Sequence, residues 1–286
     1  MSTYVKILFT AFVIMTLFSN ACYNKKQQNK TLVEYDLNNP EKFNMPSSLL
    51  EISGISFHKG NKDAIYCIQD EEGKVFRLTW GVKKQTSAKF GKKGDYEDVA
   101  VLKDKVVVLK SDGTLFSFAK ENMAFEVVDN VMEWKDLVPK GEYEGLYGDD
   151  ATGKLYVLCK NCDGDEDADK VSGYILDVKD SIHPVSRFSI NLEKIKSFGG
   201  KVKSAFRPSG LAQNPVTREW FILSGTNKLL VVTDENWKVK EAYPLNGNIF
   251  HQAEGIAFDR AGNLFISNEG DDLSDGNILQ FVRRPK

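Results

Sequence analysis

Polar residues with chemical potential recur at one place in a repeating pattern. Ser53, Glu97, Glu144, Ser209 and Glu254 each precede a short apolar run that opens on Gly54, Asp98, Gly145, Gly210 or Gly255. Two positions further upstream stand Glu51, Asp95, Glu142, Arg207 and Gln252. A second polar set closes the next apolar run of each copy: Asp70, Lys110, Lys160, Ser224 and Asn268-Glu269. Carboxylates gathered in a partly desolvated funnel repel one another, so something cationic must sit among them. Two answers stand side by side. Lys110, Lys160 and Arg207 are internal partners in one. In the other, a hard cation is held by oxygen ligands, and the mixture of Glu, Asp and Asn suits calcium. The candidate metal ligands are Glu97, Glu144, Glu254, Asp70 and Glu269. Glu51, Lys110, Lys160, Arg207 and Asn268 are candidates to bind a ligand beside them. Against both, turn-adjacent acids often only cap backbone groups.

Familiar catalytic patterns are missing. There is no GxSxG elbow, no HExxH and no phosphate-cradling glycine loop, and three histidines are too few for a multi-histidine centre. Cys159-Lys160-Asn161-Cys162 is half a zinc site at most, and reads either as a local disulfide or as two free thiols. Cys67, in mid-strand, reads as a small buried hydrophobe. The acidic run Asp163–Asp169 suggests a calcium loop. It lacks the glycine and glutamate an EF-hand needs at its sixth and twelfth places, where Ala168 and Tyr174 stand. A solvated acidic insertion is the other reading.

The elements that must position these residues are short strands. Gly255–Phe258, a turn through Gly262, and Leu264–Ser267 make a two-strand unit ending in Asn268-Glu269. The same unit recurs at Gly54, Asp98, Gly145 and Gly210, with spacings of 44, 47, 65 and 45 residues. Third strands follow at Lys74–Leu78, Thr114–Phe118, Gly173–Leu176, Lys228–Val232 and Asn277–Phe281. Weaker fourth strands fit at Thr86–Phe90 and Val185–Ile190. Four strands per repeat of this length is the pattern of a β-propeller, and no helical period competes with it. We expect an all-β, five-bladed propeller. A six-bladed ring is the alternative, with the surplus in the long interval as its sixth blade. The last copy has room for only three strands. The orphan Thr31–Leu37 is expected to supply the fourth and close the ring from the other terminus.

The chain has 286 residues, 42% of them hydrophobic, and a net charge of −2. With no basic stripe, it carries no nucleic-acid footprint. Residues 1–22 read as a leader: Lys6, the apolar run Ile7–Phe18, then Ser19-Asn20-Ala21-Cys22. The run is too short to span a bilayer. A small residue before Cys resembles a bacterial lipobox, which makes Cys22 the lipidated first residue; Ser19 departs from the usual Leu. An ordinary signal peptide cut elsewhere is the alternative. Residues 23–30 are a polar tether, and 31–286 the propeller.

Leu50–Ile55, Tyr96–Val99, Tyr143–Leu146, Pro208–Leu211 and Ala253–Ile256 together resemble the SdiA-regulated family of bacterial exported propeller proteins. The resemblance runs from about Val33 to Val282 and rests on the order of all five motifs. It implies a five-bladed propeller with bound calcium and distant similarity to propeller phytases, and no settled activity. The expected protein is a lipid-anchored, monomeric calcium-binding module of the bacterial cell envelope, facing the periplasm or the cell surface. Its channel mouth would recruit a protein, peptide, glycan or small molecule. The alternative is a calcium-dependent phosphate-ester hydrolase, which needs several cations and more basic residues than Lys110, Lys160 and Arg207.

Overall fold

Runs such as Val106–Leu109, Phe221–Leu223 and Leu229–Val232 are apolar without alternation and are buried throughout. A strand reads this way when both faces of its sheet are covered, and every sheet here lies between two others. The computed structural model describes residues 32–80, 85–165, 169–198 and 205–284. The leader, Cys22, the tether and Glu166–Ala168 of the acidic run lie outside the described residues.

Five antiparallel four-stranded sheets follow one another around the ring. The first blade is β2 (Ile52–Phe57), β3 (Ile65–Gln69), β4 (Lys74–Leu78) and β5 (Thr86–Lys89). The second is β6 (Tyr96–Leu102), β7 (Lys105–Lys110), β8 (Leu115–Ala119) and β9 (Met132–Trp134). The third is β10 (Gly141–Asp149), β11 (Lys154–Cys162), β12 (Lys170–Val178) and β13 (Ile182–Asn191). The fourth is β14 (Gly210–Gln213), β15 (Trp220–Ser224), β16 (Leu229–Thr233) and β17 (Val239–Pro244). The fifth joins β18 (Ala253–Phe258), β19 (Leu264–Asn268) and β20 (Asn277–Phe281) to β1 (Glu41–Asn44). Blade III absorbs the long interval in strands of nine and ten residues. The rest of the interval includes the short helix α1 (Leu192–Ser197). There is no sixth blade among the described residues.

An N-terminal strand does complete the last blade, but it is Glu41–Asn44, not Thr31–Leu37. Glu41 faces Gln280 and Asn44 faces Asn277. Leu32 and Tyr35 are instead tied by a turn, with the Tyr35 amide donating to the Leu32 carbonyl. That turn buries both side chains in the cluster between blades IV and V. The Tyr35 hydroxyl donates to the Gly262 carbonyl at 2.6 Å and accepts from Asn214 Nδ2 at 2.9 Å. Polar partners for the tyrosine hydroxyl make this a latch rather than a ladder strand.

One apolar cluster fills each space between neighbouring blades. The densest aromatic packing lies between blades III and IV, where Trp237 stacks on Phe188 at 3.6 Å and on Trp220 at 4.3 Å. Around the axis the innermost strands touch backbone to backbone. A Cβ on Gly255 would stand 2.6 Å from the Ser53 carbonyl oxygen, so that position tolerates only glycine. Serine hydroxyls stitch the ring: Ser209 donates to the Ala253 carbonyl, Ser267 to Ser53 and Ser53 to Glu97.

Candidate functional site

The innermost strands begin at the face where the second strands end. Tyr96 pairs with Lys110, Tyr143 with Cys159, Ala253 with Asn268 and Ile52 with Gln69. The register slips immediately after each of these pairs. Tyr96 and Asp98 face the successive residues Lys110 and Leu109, which leaves Glu97 over. Glu144 is left over between Tyr143 and Gly145, and on the facing strand Lys160 is left over between Cys159 and Asn161. In blade V, Glu254-Gly255 stand opposite Ser267 alone. Each is a β-bulge, which bends the strand and re-aims a side chain out of the pleat. The repeated glutamates are therefore bulge residues, and so is the lysine that meets them.

Lys160 Nζ donates to Glu144 Oε1. Glu144 is buried, with 8% of its side chain exposed against 31% for Lys160. Burial first, then Glu144 and Asp95, push the Glu97 carboxyl well up, and Lys160 pulls it back. Glu254 is pushed to about 8 by burial, then by Glu144 and Glu269. Glu269 rises to about 7 through burial, Asp70 and Glu51, and Asp70 to about 6 through burial and Glu51. Each carboxylate feels the next, so Glu97, Glu144, Glu254, Glu269, Asp70 and Glu51 form one electrostatic group around Lys160. Gln252 Nε2 donates to Glu269 at 2.8 Å.

Two buried side-chain oxygens lack a hydrogen-bond partner among the described residues: Asp70 Oδ1 and Asn268 Oδ1. Both belong to second-strand ends on this face. Asn268 spends its amide nitrogen on Asn277 Oδ1.

The remaining candidates stand apart. Lys110 pairs with Asp112 at 2.7 Å. Arg207 reaches only Glu142, at 3.9 Å. Sequence reasoning missed Lys228, whose ammonium donates to the carbonyls of Phe250 and His251 and acts on Glu254. Nothing in a lone lysine after Asn227 announces that role. It missed Asp98 as well: this wholly buried carboxylate accepts from the amides of Val99 and Leu146 and joins blade II to blade III.

Cys159 and Cys162 form a disulfide that brackets Lys160, and Cys67 is a buried free thiol. In the acidic run, Asp165 accepts from the amide and hydroxyl of Ser172, and Asp169 pairs with Lys196. Asp165 thus fastens the run to β12, and Asp169 fastens it to α1.

Residues 186–272 match the model of the SdiA-regulated family. Together with the five-bladed ring, that match supports placing the chain in the family. No curated protein matches the chain in sequence. Among solved structures, it is similar to the glutaminyl cyclase of Myxococcus xanthus at 12% identity, with a TM-score of 0.54 over 86% of this chain and 98% of that one. It is also similar to a streptogramin B lyase at 9% identity, with a TM-score of 0.48 over 89% and 100%. At 12% identity the likeness to the cyclase speaks to the fold alone.

The SdiA-regulated resemblance implies calcium, and the residues at the mouth can be tested for it. Among the described residues no three histidine, cysteine, aspartate or glutamate side chains are gathered closely enough to hold a metal ion. The cationic position is taken by Lys160. The donor chemistry nonetheless suits calcium, being all oxygen with no imidazole or thiol. The charge is also unbalanced, with Lys160 and Lys228 against six carboxylates, and two buried oxygens have no hydrogen-bond partner among the described residues.

Proposed function

We propose that this protein is a binding module whose acidic channel mouth takes up calcium, and that it works at the cell envelope on a lipid anchor at Cys22. The observation that carries the first part is the crowd of carboxylates, three of them on bulges, that outnumber Lys160 and Lys228. Glu97, Glu254, Glu269 and Asp70 would turn inward to hold the ion, since no three of them are gathered closely enough before it binds, with Glu144 remaining on Lys160. Bound there, calcium would offset the surplus charge and offer coordination positions to the oxygens of a peptide, glycan or small molecule.

Binding is favoured over phosphate-ester hydrolysis by where the basic residues are spent. Lys110 is paired with Asp112, Lys160 with Glu144, and Arg207 lies beside Glu142. A hydrolase needs such groups free to hold phosphate oxygens.

Calorimetry tests the site. Calcium should bind at or below millimolar concentration, and Glu254→Gln, which keeps the shape and removes a charge, should weaken it about tenfold or more. No calcium binding by the wild type, or equal binding by the variant, overturns the reading. For the anchor, intact-mass analysis should find a lipid-bearing N-terminus at Cys22.

A further inference from the structure

The other end of the same channel sets cations among its acids. The innermost strands leave the axis there, and the turns that follow carry Lys59, Arg218 and Arg260. Between them lies a cavity of about 210 Å³. Its lining is mixed, and the apolar part draws on every blade: Ile55, Val101, Leu146, Leu211 and Ile256.

The acids at this end, among them Asp149 and Asp150 of the cavity lining, keep their charge but are already committed to hydrogen bonds. Asp149 accepts from the Ala151 amide at 3.0 Å and the Thr152 hydroxyl at 2.8 Å. Asp150 accepts from the Lys103 amide, and Asp259 from the backbone and side chain of Asn263. The cations are far less so. Lys59 has a loose 3.9 Å contact with Asp150, and Arg260 gives one N–H to the Lys59 carbonyl at 3.2 Å. The arginine–carboxylate pairs among the described residues are made by Arg207, Arg283 and Arg284, not by Arg218 or Arg260.

The backbone under these cations is unusual and braced. Lys59 and Arg218 both sit in the left-handed region, at φ 54° and 62°, which a side chain with a Cβ seldom adopts. Two bonds hold Arg218 there: its amide donates to the Asn214 carbonyl at 2.9 Å, and Gln213 Nε2 donates to its carbonyl at 3.0 Å. Beside Arg218, Tyr147 lines the cavity and feels the guanidinium charge. Burial pushes its hydroxyl up, so it remains a donor at all ordinary pH values.

We infer that this mouth is a second site, which binds a small organic anion: a carboxylate or phosphate head on Arg218 and Arg260, and a short apolar body in the channel. Guanidinium groups favour oxyanions because their paired N–H donors match two oxygens at once. The cavity is smaller than the roughly 300–1,000 Å³ of sites for drug-sized ligands, so the apolar body must be about the size of one ring. The inference does not depend on calcium at the opposite mouth.

Titration with benzoate, phenyl phosphate, inorganic phosphate and benzyl alcohol, followed by calorimetry or NMR, tests it. Benzoate or phenyl phosphate should saturate the site, and whichever is tighter identifies the head group. Each bare half, inorganic phosphate or benzyl alcohol, should bind at least about tenfold more weakly. Arg218→Gly removes the guanidinium while suiting the left-handed backbone, so it should fold, and it should weaken the anion about tenfold or more. Arg260→Gln should weaken it in the same direction. Saturation by neither aromatic anion overturns the inference, as does equal binding by Arg218→Gly. Binding that needs added calcium and survives both substitutions also overturns it, because it puts the anion at the acidic mouth.

Discussion

At the scale of single residues, Lys160 decides how the acidic mouth is balanced in the absence of a bound cation. Removing one partner of a buried pair leaves the other charge uncompensated, at a cost of about 3–5 kcal/mol when the pair is fully enclosed. Lys160 keeps 31% of its side chain exposed, so water moderates the loss. Lys160→Met should therefore destabilise the protein by about 1–3 kcal/mol in chemical denaturation at pH 8. Adding Glu144→Gln should restore much of that, and a double variant no better than the single one would remove Lys160 from its assigned role. The pH dependence follows from the same group. Asp70, Glu269, Glu254 and Glu97 are pushed up to about 6, 7, 8 and 9 in the folded chain, from about 4 when unfolded. Between those limits the folded state binds more protons than the unfolded state, so stability falls as pH rises. With chelator present, the melting temperature should decline from about pH 5 to about pH 9 and level off above. A melting temperature that rose through that window would contradict the crowding of these carboxylates.

At the scale of elements, closure of the ring divides into two parts with different failure modes. β1 covers the outer edge of β20, whereas the turn around Tyr35 clamps blade IV to blade V. Tyr35→Phe leaves the Gly262 carbonyl and the Asn214 amide without their hydroxyl, which should cost about 1–3 kcal/mol in denaturant melts. Deletion through Pro40 should also destabilise, but the protein should remain monomeric. Extending the deletion through Asn44 bares the ladder of β20 and should produce aggregation visible by light scattering. If both truncations stay monomeric, β1 is not what protects that edge. The sequence showed that a terminal strand was needed, because blade V had room for only three. It misplaced that strand because Leu32-Val33-Glu34-Tyr35 has the composition of a strand, while Glu41-Lys42-Phe43-Asn44 looks like a loop. Edge strands owe their order to pairing with a partner, so their own composition says little. The bulges were hidden for a related reason. Glu97, Glu144 and Glu254 could be aligned by repeat position, but register is a property of two strands. Lys160 emerged as the partner of Glu144 only when β10 and β11 were paired.

At the scale of the whole molecule, the acidic mouth draws on four blades: Asp70 from the first, Glu97 from the second, Glu144 and Lys160 from the third, Glu254 and Glu269 from the fifth. An ion held there would tie the ring across its axis, where the serine hydroxyls and the close glycine contacts already join neighbouring blades. Calcium should then stabilise the propeller as one cooperative unit rather than a single blade. A ligand that binds only the folded state at 100 times its dissociation constant adds about 2.7 kcal/mol. For a domain of this size, each kcal/mol shifts the melting temperature by about 2–4 °C. Saturating calcium should therefore raise it by about 5–10 °C in one sharp transition, and Glu254→Gln should reduce the shift at the same calcium concentration. Magnesium should do much less, because it keeps its waters and demands a tight octahedron that long glutamates on bulges are poorly placed to build. Calorimetric scans with each ion, and with chelator as the baseline, make the measurement. Equal shifts from the two ions would indicate screening of a negative mouth rather than coordination, and no shift from calcium would leave the balancing to Lys160 and Lys228.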